Sequence, residues 1–261
     1  MSDKPVALVT GASSGLGYEF AKLLAADGYD LVLVARSREK LAALAHALEE
    51  KHKVTATPLV CDLSQVQAAE EIAQVLEADD RPLRAVINNA GFGLWGNYWE
   101  QPIDQLQSLL QVNVVALAML TRRLLPLMLP HKQGRIMNVA STAAFQPGPL
   151  LAAYFASKAF VLHLSEAIDD ELRGTGITVT AFCPGPTETG FSDAAQMADS
   201  RLFKSSRVMA ADVVARIGYR DMQAGKRVSI PGFTNKFLAW ATRLPPRSWL
   251  PKIARAMQEK A

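Results

Sequence analysis

The chain has 261 residues, 49% of them hydrophobic and 20% charged, with a formal net charge of +3. That composition provides for a sizeable core, and so small a net charge gives no electrostatic case for nucleic-acid binding. Four histidines and two cysteines are scattered without metal-ligand spacing, so no metal site is expected.

The first elements alternate in kind. Val6–Thr10 is an apolar run, the pattern of a parallel strand covered on both faces. Gly11-Ala-Ser-Ser-Gly-Leu-Gly17 follows at once, and Leu16 to Ala26 has helical periodicity. A glycine-rich turn between strand and helix lets backbone N–H groups approach a pyrophosphate at the positive end of the helix dipole. Gly11, Ser13, Ser14, Gly15, Leu16 and Gly17 are therefore candidate dinucleotide contacts. A second strand spans Asp30–Ala35, and Arg36-Ser37-Arg38 opens the next helix. Dinucleotide folds place the group that reads the adenosine ribose at this strand's end. Arg36 stands there instead of a carboxylate, and a guanidinium forks onto a 2′-phosphate, favouring NADP(H) over NAD(H).

Glu39 to His52 reads as an amphipathic crossover, Val54 to Val60 as the third strand and Leu83 to Ile87 as the fourth. Between them Asp62, followed by Leu63, either accepts from an adenine amino group or caps a helix starting at Ser64. Asn88-Asn89-Ala90-Gly91 should border the cofactor, its two amides tying adjacent strands together. The loop Phe92–Trp99 is aromatic with glycine hinges, and Gln105 to Leu129 reads as one long helix carrying Asn113. Its most apolar part, Val114 to Pro130, is interrupted by Thr121-Arg122-Arg123, which argues against a membrane span. A strand over 135–140 leads to Ser141, and Pro147-Gly148-Pro149 precedes a helix from about Leu150. Tyr154 and Lys158 lie four apart on one face of that helix. A neighbouring ammonium is expected to lower the phenol pKa by about 1–3 units. Ile177–Phe182 is a further strand, Cys183-Pro184-Gly185 turns toward Thr187 and Thr189, and Val228–Ile230 closes the set. Strands alternating with helices predict one α/β domain, a doubly wound Rossmann-type parallel sheet with helices on both faces.

The residues Thr10–Gly17, Asp62, Asn88–Gly91, Asn113, Ser141, Tyr154, Lys158, Pro184-Gly185 and Thr189 together resemble the short-chain dehydrogenase/reductase family, and Arg36 its NADP-preferring branch. The resemblance covers roughly residues 5–190. It implies that Ser141 holds a substrate carbonyl and that Tyr154 is the general acid or base. Lys158 would bind the nicotinamide ribose and tune Tyr154, with Asn113 holding a proton-carrying water. Asn89, Ala90, Gly91, Pro184, Gly185, Thr187 and Thr189 would border NADP(H). The expected reaction interconverts a ketone or aldehyde and an alcohol. An NAD-dependent alcohol dehydrogenase and a non-catalytic dinucleotide-sensing protein are the alternatives.

Phe92, Trp95, Phe145, Leu151, Phe191 and Met197 are candidate substrate walls, and their apolar character points to a hydrophobic small molecule. The polar segment 191–207 is expected to act as a lid, and 233–261 forms a basic tail. Residues 201–261 carry 13 Lys and Arg against 3 acids. With Trp240 and Trp249 among cations, the tail either lies on an anionic membrane surface or packs over the substrate opening or a partner subunit. Apolar residues on more than one face of the 105–129 and 151–173 helices predict a homodimer or homotetramer. The N-terminus lacks a signal-peptide pattern, and a cytoplasmic location is the expectation, with membrane association through the tail as the alternative.

Overall fold

The computed structural model describes residues 4–190 and 208–259; the proposed lid, with Phe191 and Met197, lies outside the described residues. The strands are β1 (Val6–Thr10), β2 (Asp30–Ala35), β3 (Ala56–Val60), β4 (Leu83–Asn88), β5 (Gly134–Val139), β6 (Ile177–Phe182) and β9 (Val228–Ser229). They form one seven-stranded sheet in the order β3-β2-β1-β4-β5-β6-β9, with every pairing parallel. Two short strands, β7 (Thr187–Glu188) and β8 (Met209–Ala210), pair separately. The winding reverses between β1 and β4, the switch point at which open α/β sheets bind ligands.

Alternation along β1 builds two cores. Ala7 and Val9 face α1 (Gly15–Ala26), α2 (Arg38–His52) and α7 (Ala211–Gln223). Val6 and Leu8 face α3 (Ala68–Glu77) and α5 (Leu117–Met128). Helix α7 is absent from the expected elements. It buries Val214, Ala215, Tyr219 and Met222, and its Tyr219 hydroxyl donates to Asp27 at 2.6 Å. Gly218 lies against the ring of Phe182, which packs edge-on to Phe20 at 5.7 Å between centroids.

The expected long helix is divided into α4 (Ile103–Leu110), a π-helical turn at Gln111–Ala116, and α5. From Ile103 to His131 this stretch is long and apolar enough to cross a membrane by length and composition. Its inner face, Leu109, Leu117, Leu120, Thr121, Leu124 and Met128, is buried in the domain. The site helix α6 (Ala152–Glu171) starts two residues later than expected. Leu150 is left-handed at φ +69°, and its carbonyl accepts from Gly96 at 2.9 Å, tying the aromatic loop to the helix entrance. Likewise α3 starts at Ala68, not Ser64, because a turn intervenes in which Gln65 donates to the Asp62 carbonyl.

A buried polar chain joins β4 and β5 to their helices. Asn88 donates to Asn138 at 2.8 Å and to Thr121 at 3.1 Å, and Asn138 donates to Ser165 at 3.0 Å. Asn138→Ala would strand partners on both sides. A loss of about 2–4 kcal/mol in unfolding free energy is expected, to be read from urea denaturation.

Candidate active site

One cavity of about 1210 Å³ runs across the carboxyl ends of the strands, from Arg36 to the C-terminal helices. Gly11, Ser13, Ser14, Leu16, Asp62, Leu63, Asn89, Ala90 and Gly91 line it, together with Pro184, Gly185, Thr187 and Thr189. Gly15 and Gly17 shape the loop from beneath. At Gly15 (φ +54°) a side chain would be strained and would meet Thr189 at 3.1 Å. Asn89 donates to the Thr10 carbonyl at 3.0 Å and pins the loop to β4. At the far end Arg36 is joined by Ser37 and Lys40. Lys40 was missed in the sequence, although it lies one helical turn past Arg36. Asp62 accepts from the Ser64 amide at 3.0 Å while facing the cavity. This long backbone cradle, with a cationic end, fits a phosphorylated dinucleotide.

The reactive cluster hangs on the end of β5. Ser141 caps a short 3₁₀ turn, its hydroxyl accepting from Ala143 at 3.1 Å, and its side chain hydrogen-bonds Tyr154. Lys158 donates to the Val139 carbonyl at 2.8 Å, and its ammonium lies 5.7 Å from the Tyr154 ring centroid. All three side chains border the cavity. Thr142 donates its amide to the Pro184 carbonyl at 3.0 Å, holding the Pro184-Gly185 turn against the same strand end.

The expected acidification of Tyr154 is overturned. Burial pushes its pKa up to about 12, and the hydrogen bond with Ser141 only partly opposes this. Burial also lowers Lys158 to about 8. Desolvation penalises both charged forms, so the cation does not win against the loss of water. Beneath them Cys183 is held at about 12, mainly by burial, and is unreactive as a thiol.

Asn113 is brought to the cluster but not to the cavity wall. Its amide donates to the Phe92 carbonyl at 2.9 Å and to Ser157 at 3.2 Å, and its oxygen accepts from the Phe92 amide at 3.1 Å. The side chain is thereby committed to holding the aromatic loop. A Cβ at Gly91 would sit 3.1 Å from the Asn113 oxygen and 3.3 Å from the Lys158 nitrogen.

Of the proposed substrate walls, Phe92 and Leu151 line the cavity. Phe145 does not. It packs against the core formed by Leu117, Ala144 and Val161, because the 3₁₀ turn directs it inward. Trp95 also stands back from the cavity, packing near Leu109 and Phe155 and donating its indole N–H to the Gln258 carbonyl at 3.1 Å. The tail takes the place over the substrate opening that was one of its expected alternatives, and its helices α8 (Phe233–Ala241) and α9 (Leu250–Gln258) add walls not named individually from the sequence. Leu238, Leu250, Ile253 and Met257 complete the apolar side. The alternation of α9 carried a signal for this, since Leu250, Ala254 and Gln258 are buried at four-residue spacing.

The short chain dehydrogenase family model matches residues 5–199. The chain belongs to the short-chain dehydrogenase family. It is 36% identical over 177 residues to a very-long-chain 3-oxoacyl-CoA reductase of Phaeosphaeria nodorum, over 66% of this chain and 52% of that protein. Matches to the first curated relatives span 52% to 65% of their own lengths. Among solved members, a short-chain dehydrogenase from Sphingobium yanoikuyae in complex with NADPH is 31% identical. It has a TM-score of 0.83 and coverage of 92% of this chain and 93% of that one. The bulky-bulky ketone specific alcohol dehydrogenase from Comamonas testosteroni is 29% identical, with a TM-score of 0.79 over 93% of each chain. A member from Burkholderia phymatum in complex with NAD is 25% identical, with a TM-score of 0.82 over 100% of this chain and 99% of that one. The protein is thus an oxidoreductase-family member whose solved relatives carry NADPH or NAD.

Two outcomes test the cluster. Gly91→Ala should displace the Lys158 ammonium and cut turnover at least about 10-fold with the fold intact, read by steady-state kinetics beside circular dichroism. Lys158 is charged below its pKa and neutral above it. If the charged form is the active one, kcat/KM for carbonyl reduction should fall through an alkaline limb near pH 8. Tyr154, protonated up to about 12, should add no acidic limb.

Proposed function

We infer that the protein is an NADP(H)-dependent carbonyl reductase acting on bulky apolar ketones. The observation that carries this reading is the joint placement of Ser141, Tyr154 and Lys158 on one wall of a cavity whose other end offers Arg36 and Lys40. The NADPH complex of the Sphingobium relative and the ketone named for the Comamonas enzyme support it. So does the apolar lining of Phe92, Leu151, Phe155 and Leu250.

The glycine-rich turn and the Asn89–Gly91 turn would hold the dinucleotide, with Thr187 and Thr189 on its nicotinamide side. Arg36 and Lys40 would hold a 2′-phosphate. When bound, the reduced cofactor supplies the hydride. Ser141 donates a hydrogen bond to the ketone oxygen and orients it. Tyr154 gives its proton to that oxygen as negative charge gathers there. The Lys158 ammonium, on the same helix face, holds the resulting phenolate until it regains a proton from solvent. In the oxidative direction the same groups act in reverse. A neutral phenol is the form that reduction requires, and burial keeps Tyr154 in it.

The exposed apolar residues Leu110 in α4, Val115 in the π-helical turn, Met119 in α5 and Phe160 in α6 support self-association.

Tyr154→Phe should lower kcat for reduction of an apolar ketone by about 10²–10⁴-fold while NADPH still binds; undiminished turnover would remove the reading. Replacing Arg36 by Ala should weaken NADPH about 10- to 150-fold and leave NADH nearly unchanged. A wild-type preference for NADH over NADPH, followed by nicotinamide absorbance, would reverse the cofactor assignment.

A further inference from the structure

Helices α8 and α9 turn an apolar stripe away from the protein. In α8, Phe233, Phe237 and Trp240 follow each other at four and three residues, which places them on one helical face. They are 85%, 52% and 53% exposed. The opposite face carries the buried Ala239, with Asn235 packed on Gly185. In α9, Leu250, Ala254 and Gln258 are the buried stripe, yet Trp249, Ile253 and Met257 form a second stripe beside it and remain exposed. Of these, Ile253 and Met257 also border the cavity, whereas Trp249 does not. Phe237 and Trp240 pack on each other, 6.1 Å between centroids, with both rings still half in solvent.

Charge accompanies the stripes. Between Phe233 and Gln258 the chain has Lys236, Arg243, Arg247, Lys252 and Arg255 and no acidic residue. All five cations are exposed, and none is ion-paired with another described residue. The stripes border the cavity, since Phe233, Leu238, Ile253 and Met257 both line it and reach the surface.

We propose that these two helices form a docking surface for an anionic lipid bilayer, and that apolar substrate enters the cavity from the lipid. Tryptophans among cations and aromatic side chains match the interface between headgroups and acyl chains. Each cation near an anionic surface strengthens partition about 5-fold. A second copy of the chain is a poorer occupant. An isologous contact sets the same patch against itself and would bring five cations against five. The entry of substrate rests on the proposed reductase reading; the docking does not.

The test is flotation of the full chain with vesicles of phosphatidylcholine, with or without phosphatidylglycerol, at low and high salt, without cofactor or substrate. Binding is expected only to the anionic vesicles, with a blue shift of tryptophan fluorescence, and is expected to weaken at high salt. Arg243→Gln with Arg247→Gln should lower the partition coefficient about 25-fold. Phe237→Glu with Trp240→Glu should abolish it. Both double variants leave the cavity wall untouched and should retain wild-type turnover of a water-soluble ketone. Absence of flotation, or flotation indifferent to these substitutions, overturns the proposal. A dimer that Trp240→Glu dissociates, with no vesicle binding, overturns it too and assigns the stripe to a second copy. Flotation without any reductase activity would leave docking standing and remove only the reductase reading.

Discussion

Burial of two ionisable side chains, one helical turn apart, is the constraint from which the site follows. Tyr154 and Lys158 lie where α6 meets the end of β5, and the enclosing protein removes nearly all their water. Each shift opposes the charged form, upward for the phenol and downward for the ammonium. Both groups are protonated at neutral pH, the ammonium nearer its pKa than the phenol, and their balance responds to whatever charge enters the cavity. The hydrogen bond from Lys158 to the Val139 carbonyl and the one between Ser141 and Tyr154 fix the geometry. The Asn88–Asn138–Ser165 chain locks β4 and β5 to their helices.

Most of the sheet was legible from residue order. Runs such as Val6–Thr10 and Ile177–Phe182 are apolar on both faces because parallel strands are covered on both, and their bounds match within a residue. The glycine turn, the Asn88–Gly91 segment and the Tyr154/Lys158 spacing were legible because backbone approach and helical geometry demand those residue types at those intervals. What escaped depended on tertiary context. A lysine four residues away suggests an acidic phenol until the depth of burial is known, and depth is not a local property. Phe145 and Trp95 looked like pocket walls because an aromatic side chain does not declare which side of its turn it occupies. The π-helical turn at Gln111–Ala116, the left-handed Leu150 and the two-residue strands β7 and β8 leave no periodic trace. In α7, Gly218 and Asp221 interrupt the buried stripe.

The last thirty residues carry a double duty that composition only hinted at. Two short helices roof the cavity, and several of the side chains that line it, Phe233, Leu238, Ile253 and Met257, also reach the surface beside Phe237, Trp240 and Trp249. The indole of Trp95 fastens that roof to the aromatic loop through the Gln258 carbonyl, and Asn113 fastens the same loop to α6 through Ser157. Loop, roof and reactive helix are therefore linked mechanically. The shape of the apolar cavity and the position of the proton donor are set by one set of contacts.

The most direct measurement is a spectrophotometric titration of tyrosinate in wild type minus Tyr154→Phe, with and without saturating NADP⁺. In the free protein the missing phenol should ionise near pH 12. With the oxidised, positively charged nicotinamide bound, its ionisation should move down by about 1–3 units, since nearby positive charge favours the phenolate. A Tyr154 that already ionises below pH 10 in the free protein, or whose ionisation ignores the cofactor, would contradict the account.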